Sequence, residues 1–252
     1  MAHGLALDHA AWSSPWRVRS LRDKGILSAG LLLAAVSLPS VPGGCAVAVV
    51  SLVLLVGPVG VGWRRLGRIG WVPLVSILIG VATVAVSVAW DGALVVRVTP
   101  EGVATAGNLL IRALAATLAM FVLACSTPMV DLLEGLRRAH LPDALVEIAA
   151  LVYRFTFGLL ESAGAIHAAQ EARLGYATRR AAMRSASMGV AVLFVRAWER
   201  ARRLEAGLAG RGYEEGLRTL APERVRSTGF LVASVAVVAA IGGGALAWEW
   251  AR

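Results

Sequence analysis

The sequence predicts an all-α, polytopic membrane protein with about five transmembrane helices and a helical coupling region outside the bilayer. Three observations carry that expectation. Of 252 residues, 58% are hydrophobic and the mean hydropathy is +0.70, whereas an ordinary soluble domain is about 45–50% apolar. Only 16% of residues are charged, too few to coat a soluble surface of this size. The apolar residues also come in long blocks, as crossing roughly 30 Å of hydrocarbon requires.

Five blocks are predicted to span, near 25–41, 44–62, 70–90, 103–126 and 228–248. Pro39, Pro42, Gly43 and Gly44 form a turn signal between the first two, which read as a helical hairpin. The connecting segments sort by charge. Residues 1–24 carry Arg17, Arg19, Arg22 and Lys24, the turn 39–44 carries none, and 62–70 carries Arg64, Arg65 and Arg68. In 91–102, Arg97 faces Asp91 and Glu101, and most remaining arginines lie in 127–226. The positive-inside rule then places the N-terminus in the cytoplasm and the segment 127–226 on the same side. The expected organisation is a cytoplasmic segment 1–24, a four-helix membrane region 25–126, coupling helices 127–226 and a last span with the C-terminus, 227–252.

The stretch 127–226 reads as amphipathic helix rather than loop. In "MVDLLEGLRRAHLPDALVEIAALVYRFTFGLLE" apolar residues recur three and four apart, and Pro142 ends one short helix and opens the next. Glu147, Arg154 and Glu161 recur every seven residues and fall near one face. That pattern reads first as a structural ion-pair ladder, and otherwise as contacts for a partner. Residues 145–165 are greasy enough to be counted as a sixth span, although a tilted interfacial helix is the preferred reading. Beyond 166 the chain is rich in arginine with helical apolar spacing, and Arg179, Arg180, Arg202 and Arg203 suit anionic lipid headgroups.

The same features exclude several functions. A net charge of +9 spread over interhelical segments, with a single lysine and no basic aromatic stretch, does not describe a nucleic-acid surface. Cys45 and Cys125 lack CxxC spacing and read as small hydrophobes. No Ala-x-Ala follows a short apolar core near residue 1, so no cleavable signal is expected. GxSxG, HExxH and GxxxxGK[ST] patterns are absent. His140 and His167 have no second ligand at helical spacing, and His3 and His9 sit beside Trp12 and Trp16 in what reads as an interfacial anchor. No metal site is expected on this chain. Arg112 interrupts the fourth span, where it either snorkels outward or bonds to a partner's helix.

Two stretches, "EARLGY" from Glu171 and "AGRGY" from Ala209, each set an arginine among small residues near a Gly and a Tyr. A guanidinium is a planar fork that pairs two-pronged with a carboxylate and keeps its charge. Small neighbours let another protein surface approach. Arg173 and Arg211 therefore read as two plugs for two acidic sockets, such as a pair of ATPase subunits would present.

The chain resembles the transmembrane (T) component of energy-coupling-factor (ECF) transporters, in the cobalt-type, CbiQ-like branch. The resemblance is strongest from "STPMVDLLEGLRRAHLPDALVEIAALVYRF" through "RLEAGLAGRGY". The family's paired motifs, a small residue followed by Arg and then Gly or a similar small residue, map onto Ala172-Arg173 and onto Gly210-Arg211-Gly212. Leu174 intervenes before Gly175, and Gly210 stands where the motif usually has Ala. The resemblance implies a non-catalytic scaffold that binds no cofactor of its own, ATP being held by two cytoplasmic ABC ATPase subunits. It further implies a substrate-capturing membrane partner, cobalt import that supplies cobalamin synthesis, and a multi-pass place in the bacterial plasma membrane. The alternatives are a T component for nickel or a vitamin, and, from another class, an intramembrane enzyme built on Glu147, Arg154, Glu161 and His167.

Overall fold

The apolar blocks fold as helices because a chain in hydrocarbon must satisfy its backbone hydrogen bonds within each segment. The computed structural model describes residues 3–90, 94–212 and 227–250. The helices are α1 (His3–Ser13), α2 (Leu21–Ser37), α3 (Cys45–Val56), α4 (Trp63–Ala85), α5 (Pro100–Ser126), α6 (Met129–Arg138), α7 (Asp143–Ala172), α8 (Arg179–Ala209) and α9 (Thr228–Trp250). Between α4 and α5 the chain makes an antiparallel hairpin of β1 (Val86–Trp90) and β2 (Leu94–Val98), with Val86 opposite Val98. The fold is otherwise all-α.

By its internal packing the chain divides into two units, Met1–Leu132 with Pro222–Arg252, and Leu133–Ala221. In the first unit α5 is central and touches α1, α2, α3 and α4, while α9 packs on α2. The core is made by Leu27, Leu31 and Ala35 of α2, Val47 and Leu55 of α3, and Ala115, Ala119, Val122 and Cys125 of α5. Alanines at the α2–α5 seam let the two backbones approach, the usual device where lipid supplies no hydrophobic drive between helices. The outer faces are also apolar: Val49, Val53, Trp71, Ile79, Val232 and Leu246 are all exposed. An apolar core inside an apolar shell is the pattern of a bundle solvated by lipid.

Among the described residues, three helices are long and apolar enough to cross a membrane: Trp63–Ala85, Pro100–Ser126 and Thr228–Trp248. The expected first and second spans are shorter. Helix α2 has 17 residues and α3 has 12, extended by a π-type turn at Ser40–Gly44. The turn predicted at Pro39–Gly44 is there, with Gly43 and Gly44 donating to the Pro39 carbonyl. The expected third span, 70–90, is displaced. It starts at Trp63, so that Arg64, Arg65 and Arg68 lie within helix rather than loop, and it stops at Ala85 where the hairpin begins. A β-branched and small run, Val86-Ser87-Val88, suits a paired strand as well as a helix end. Part of the predicted 91–102 connection, residues 91–93, lies outside the described residues, as do 213–226.

The N-terminal stretch does not stand apart from the bundle. Ala10, Ala11, Ser14 and Trp16 are buried, and Ser14 Oγ donates to the Val59 carbonyl at 2.9 Å. Trp16 meets Phe230 of α9 edge-to-face at 5.1 Å, and Arg19 lies 4.4 Å over the same Phe230 ring. Of the two tryptophans, Trp12 keeps the exposed position expected of an interfacial anchor, with Arg17 stacked 4.0 Å over it, while the side chains of His3 and His9 lie outside the described ones. Lys24, read from sequence as a flanking cation, is 1% exposed inside α2.

Within the second unit, α6 and α7 meet at a corner closed by Arg137 and Asp143 at 3.2 Å. Pro142 caps α7, as the sequence pattern predicts. Helices α7 and α8 then run antiparallel. Gln170 meets Ser185 next to the connecting turn, and further along the pair Phe155 meets Arg200. Helix α7, which carries 145–165, is not among those three helices long and apolar enough to cross a membrane.

Candidate functional site

Both arginine motifs sit at the C-terminal ends of the two longest helices. Ala172 is the last residue of α7 and Arg173 caps it. Leu174 then takes a left-handed conformation, φ 58°, and the chain turns away. Gly175 N–H donates to the Gln170 carbonyl at 2.8 Å and Leu174 N–H to Glu171 at 2.9 Å. These two bonds make a Schellman ending, which satisfies carbonyls the helix would leave unpaired. The departure from the motif therefore has a geometric reason. Leu174 fills the left-handed position, and the glycine stands one place later, where space is short. A Cβ on Gly175 would lie 2.6 Å from Ser185 Oγ and 2.8 Å from the Gln170 carbonyl.

Side chains lock this turn to α8. The Gln170 amide donates to the Ser185 carbonyl at 2.8 Å and accepts from the Tyr176 hydroxyl at 2.8 Å, while Ser185 Oγ donates to the Gly175 carbonyl at 2.9 Å. His167 stacks on Tyr176 with ring centres 4.6 Å apart. Thr178 caps α8 by accepting from Ala181 N–H. The sequence reading missed Gln170 and Ser185. The only local trace is a glutamine among alanines, six residues before a tyrosine.

Arg211 is placed in a similar way. Gly210 caps α8, Arg211 N–H donates to Leu208 at 3.0 Å, and Gly212 is left-handed at φ 67°. Arg173 and Arg211 are exposed, and among the described residues neither side chain has a hydrogen-bond or ion-pair partner. Each stands at a helix C-terminus, whose partial negative charge favours a cation there. The two motifs bracket α8, whose 31 residues rise about 46 Å at ~1.5 Å per residue. Tyr213 lies outside the described residues.

Leu174 pays for the turn in backbone strain, since a left-handed non-glycine residue costs about 1–2 kcal/mol, and its side chain is 76% exposed. Leu174→Gly is expected to stabilise the detergent-solubilised chain by about 1 kcal/mol, part of the relief being offset by greater freedom in the unfolded chain. An unchanged or lower unfolding temperature would mean that the leucine side chain itself holds the turn.

The other candidates do not converge. Seven residues advance about 10 Å along a helix, so Glu147, Arg154, Glu161 and His167 are strung along successive stretches of α7. Arg154 and Glu161 are exposed and make no ion pair with each other. Of the ladder read from their spacing, the Arg154–Glu161 rung is not formed. Arg112 is engaged within the chain, where Nη2 donates to the Leu38 carbonyl at 3.4 Å and so meets the C-terminal end of α2. His140 is left-handed at φ 62° and ends α6 through a bond to Arg137. Among the described residues no three His, Cys, Asp or Glu side chains gather as around a metal ion.

The sequence pattern of the CbiQ family, described as cobalt transport protein, matches residues 13–221. This chain belongs to the CbiQ cobalt transport protein family. A cobalt transport protein CbiQ of Rhodobacter capsulatus is 40% identical over 215 residues, 85% of this chain and 87% of that one. Its counterpart in Salmonella typhimurium is 30% identical over 205 residues, 75% of this chain and 88% of that one. A protein of Methanocorpusculum labreanum described as a fused cobalt transport protein CbiMQ is 29% identical over 219 residues, 82% of this chain and 36% of its own length. The family match takes in α2 to α8 and both arginine motifs, and family and helices together make this a multi-pass membrane protein of a transport family.

Proposed function

We propose that the chain is the energy-coupling T component of an ECF-type ABC importer for cobalt ion. In this reading it has no catalytic activity and no cofactor. It joins two cytoplasmic ABC ATPase subunits, which bind ATP, to a membrane subunit that captures the ion. The observation that carries the reading is the pair of exposed arginines, without a side-chain partner among the described residues, at the C-terminal caps that bracket α8. A rigid helix with a permanent charge at each end suits two copies of one acidic socket better than a single ligand. The names of the relatives support cobalt as the cargo, and the fused CbiMQ protein supports a second membrane polypeptide acting beside the CbiQ-like one.

The coupling follows from the corner. When the ATPase dimer closes on ATP, the two arginine ends are drawn with their sockets. Gln170, Tyr176 and Ser185 tie the α7 turn to α8, so a pull at Arg173 moves helices rather than unwinding a loop. The N-terminus and the second unit would face the cytoplasm of a bacterial plasma membrane, as the arginine distribution implies. Co-purification on a tagged chain, followed by mass spectrometry, is expected to return the ATPase and a small membrane protein in fixed ratio. Recovery of the chain alone from gently solubilised membranes would sink the proposal. Calorimetric titration of the isolated chain with Co²⁺ is expected to show no stoichiometric site. A micromolar site lost on His3→Ala would move ion capture onto this chain.

A further inference from the structure

Two adjacent residues of α2 hold two junctions inside the first unit, the end of α5 and the start of α9, which flank the second unit in sequence. Helix α5 ends at Ser126, six residues before the first unit gives way to the second at Leu132, and Ser227, five residues after the first unit resumes at Pro222, precedes α9. Lys24 Nζ donates to the Ser126 carbonyl at 2.9 Å. Asp23 Oδ2 accepts the Ser227 backbone N–H at 3.3 Å. Ser227 Oγ in turn accepts from Phe230 N–H and so caps α9. The end of α5 carries partial negative charge and the start of α9 partial positive charge, so each side chain meets a helix end of opposite sign.

The local sequence does not require this arrangement. Ser20 Oγ accepts from Asp23 N–H at 3.3 Å and opens α2. A capping box would have the acidic side chain turn back onto its own helix start, whereas Asp23 reaches a residue 204 positions away. One turn further on, Ser28 Oγ donates to the Ala119 carbonyl at 2.8 Å and continues the seam with α5. Asp23 and Lys24 are 4% and 1% exposed. Buried charges of this kind add little to stability compared with apolar residues that fill the same space, so their placement at both junctions calls for another role.

We propose that Asp23 and Lys24 are positioning residues that fix the end of α5 and the start of α9 to α2, so that motion arriving along the chain from the arginine-bearing helices is transmitted into the apolar bundle. This rests on the coupling role proposed above. The test uses the whole transporter, with its ATPase and ion-capturing subunits, in lipid vesicles. It compares wild type with Asp23→Ala, Asp23→Asn, Lys24→Met and Leu27→Ala, the last weakening the same helix away from both junctions. Asp23→Ala and Lys24→Met are expected to keep ATPase association and to hydrolyse ATP within about twofold of wild type, while cobalt uptake falls about tenfold. Asp23→Asn keeps an acceptor and should fall between. The Ser227 amide should exchange its hydrogen faster in Asp23→Ala, and Leu27→Ala should lower hydrolysis and uptake together.

Equal loss of hydrolysis and uptake in the junction variants, or unchanged uptake, overturns the proposal. If the wild-type chain binds no ATPase, the coupling role itself fails. Amide exchange then decides about the junction alone: an unaccelerated Ser227 shows that Asp23 does not hold it.

Discussion

Arg173→Glu combined with Arg211→Glu is expected to abolish co-purification of the ATPase while the chain still enters the membrane. Neither residue lies in a membrane-spanning helix, and each is exposed at a helix C-terminus. If each guanidinium seats in an acidic groove, reversal sets carboxylate against carboxylate. It also places a negative charge at the negative end of a helix dipole. Truncating one member of a desolvated charge pair costs about 2–5 kcal/mol, roughly 30- to 4,000-fold in affinity, and reversal should cost at least as much. Each single change should weaken association and strongly reduce uptake. Arg179→Glu, in the first turn of α8, is the control and should be mild, since a carboxylate suits a helix N-terminus. Normal association in both motif variants, with failure of Arg179→Glu, would show that different arginines make the contact.

Gly175→Ala should misplace Arg173 without changing its charge. The added methyl would stand 2.6 Å from Ser185 Oγ and 2.8 Å from the Gln170 backbone oxygen. The serine hydroxyl can rotate away, although it then loses its bond to the Gly175 carbonyl. The Gln170 carbonyl is backbone and cannot move without opening the Schellman ending of α7. Overpacking of this kind costs about 1–3 kcal/mol. The expected result is a lower unfolding temperature together with weaker ATPase association. Ser185→Ala should relieve part of the clash while removing one hydrogen bond, so the double variant should recover some association. Full association and stability in Gly175→Ala would mean that the turn tolerates another course, and that the position of Arg173 is not set by this corner.

Much of the architecture was legible in the sequence because hydropathy and helical period are local properties. The long apolar runs become α4, α5 and α9, the Pro-Gly cluster becomes the turn at Ser40–Gly44, and Pro142 separates α6 from α7. Helix limits were less legible. Residues Arg22, Asp23 and Lys24 look like a polar flank, and only α5 and α9 supply the helix ends that let Asp23 and Lys24 be buried. Val86–Val98 was equally ambiguous, since strand pairing depends on which residues stand opposite.

Charge spacing alone misled where distance mattered. Arg154 and Glu161 share a face by sequence, yet across a helical rise of about 10 Å they form no ion pair with each other. The arginine motifs were visible as residue types, small neighbours and resemblance. Their place at two helix ends was decided in three dimensions, because Gln170, Tyr176 and Ser185 meet only when α7 and α8 fold against each other. By itself the sequence determined which solvent surrounds the chain and which segments are helical, since both depend on residues close together. The tertiary structure decided which charges are buried, which remain free and where the arginines stand, since those depend on pairs up to 204 residues apart.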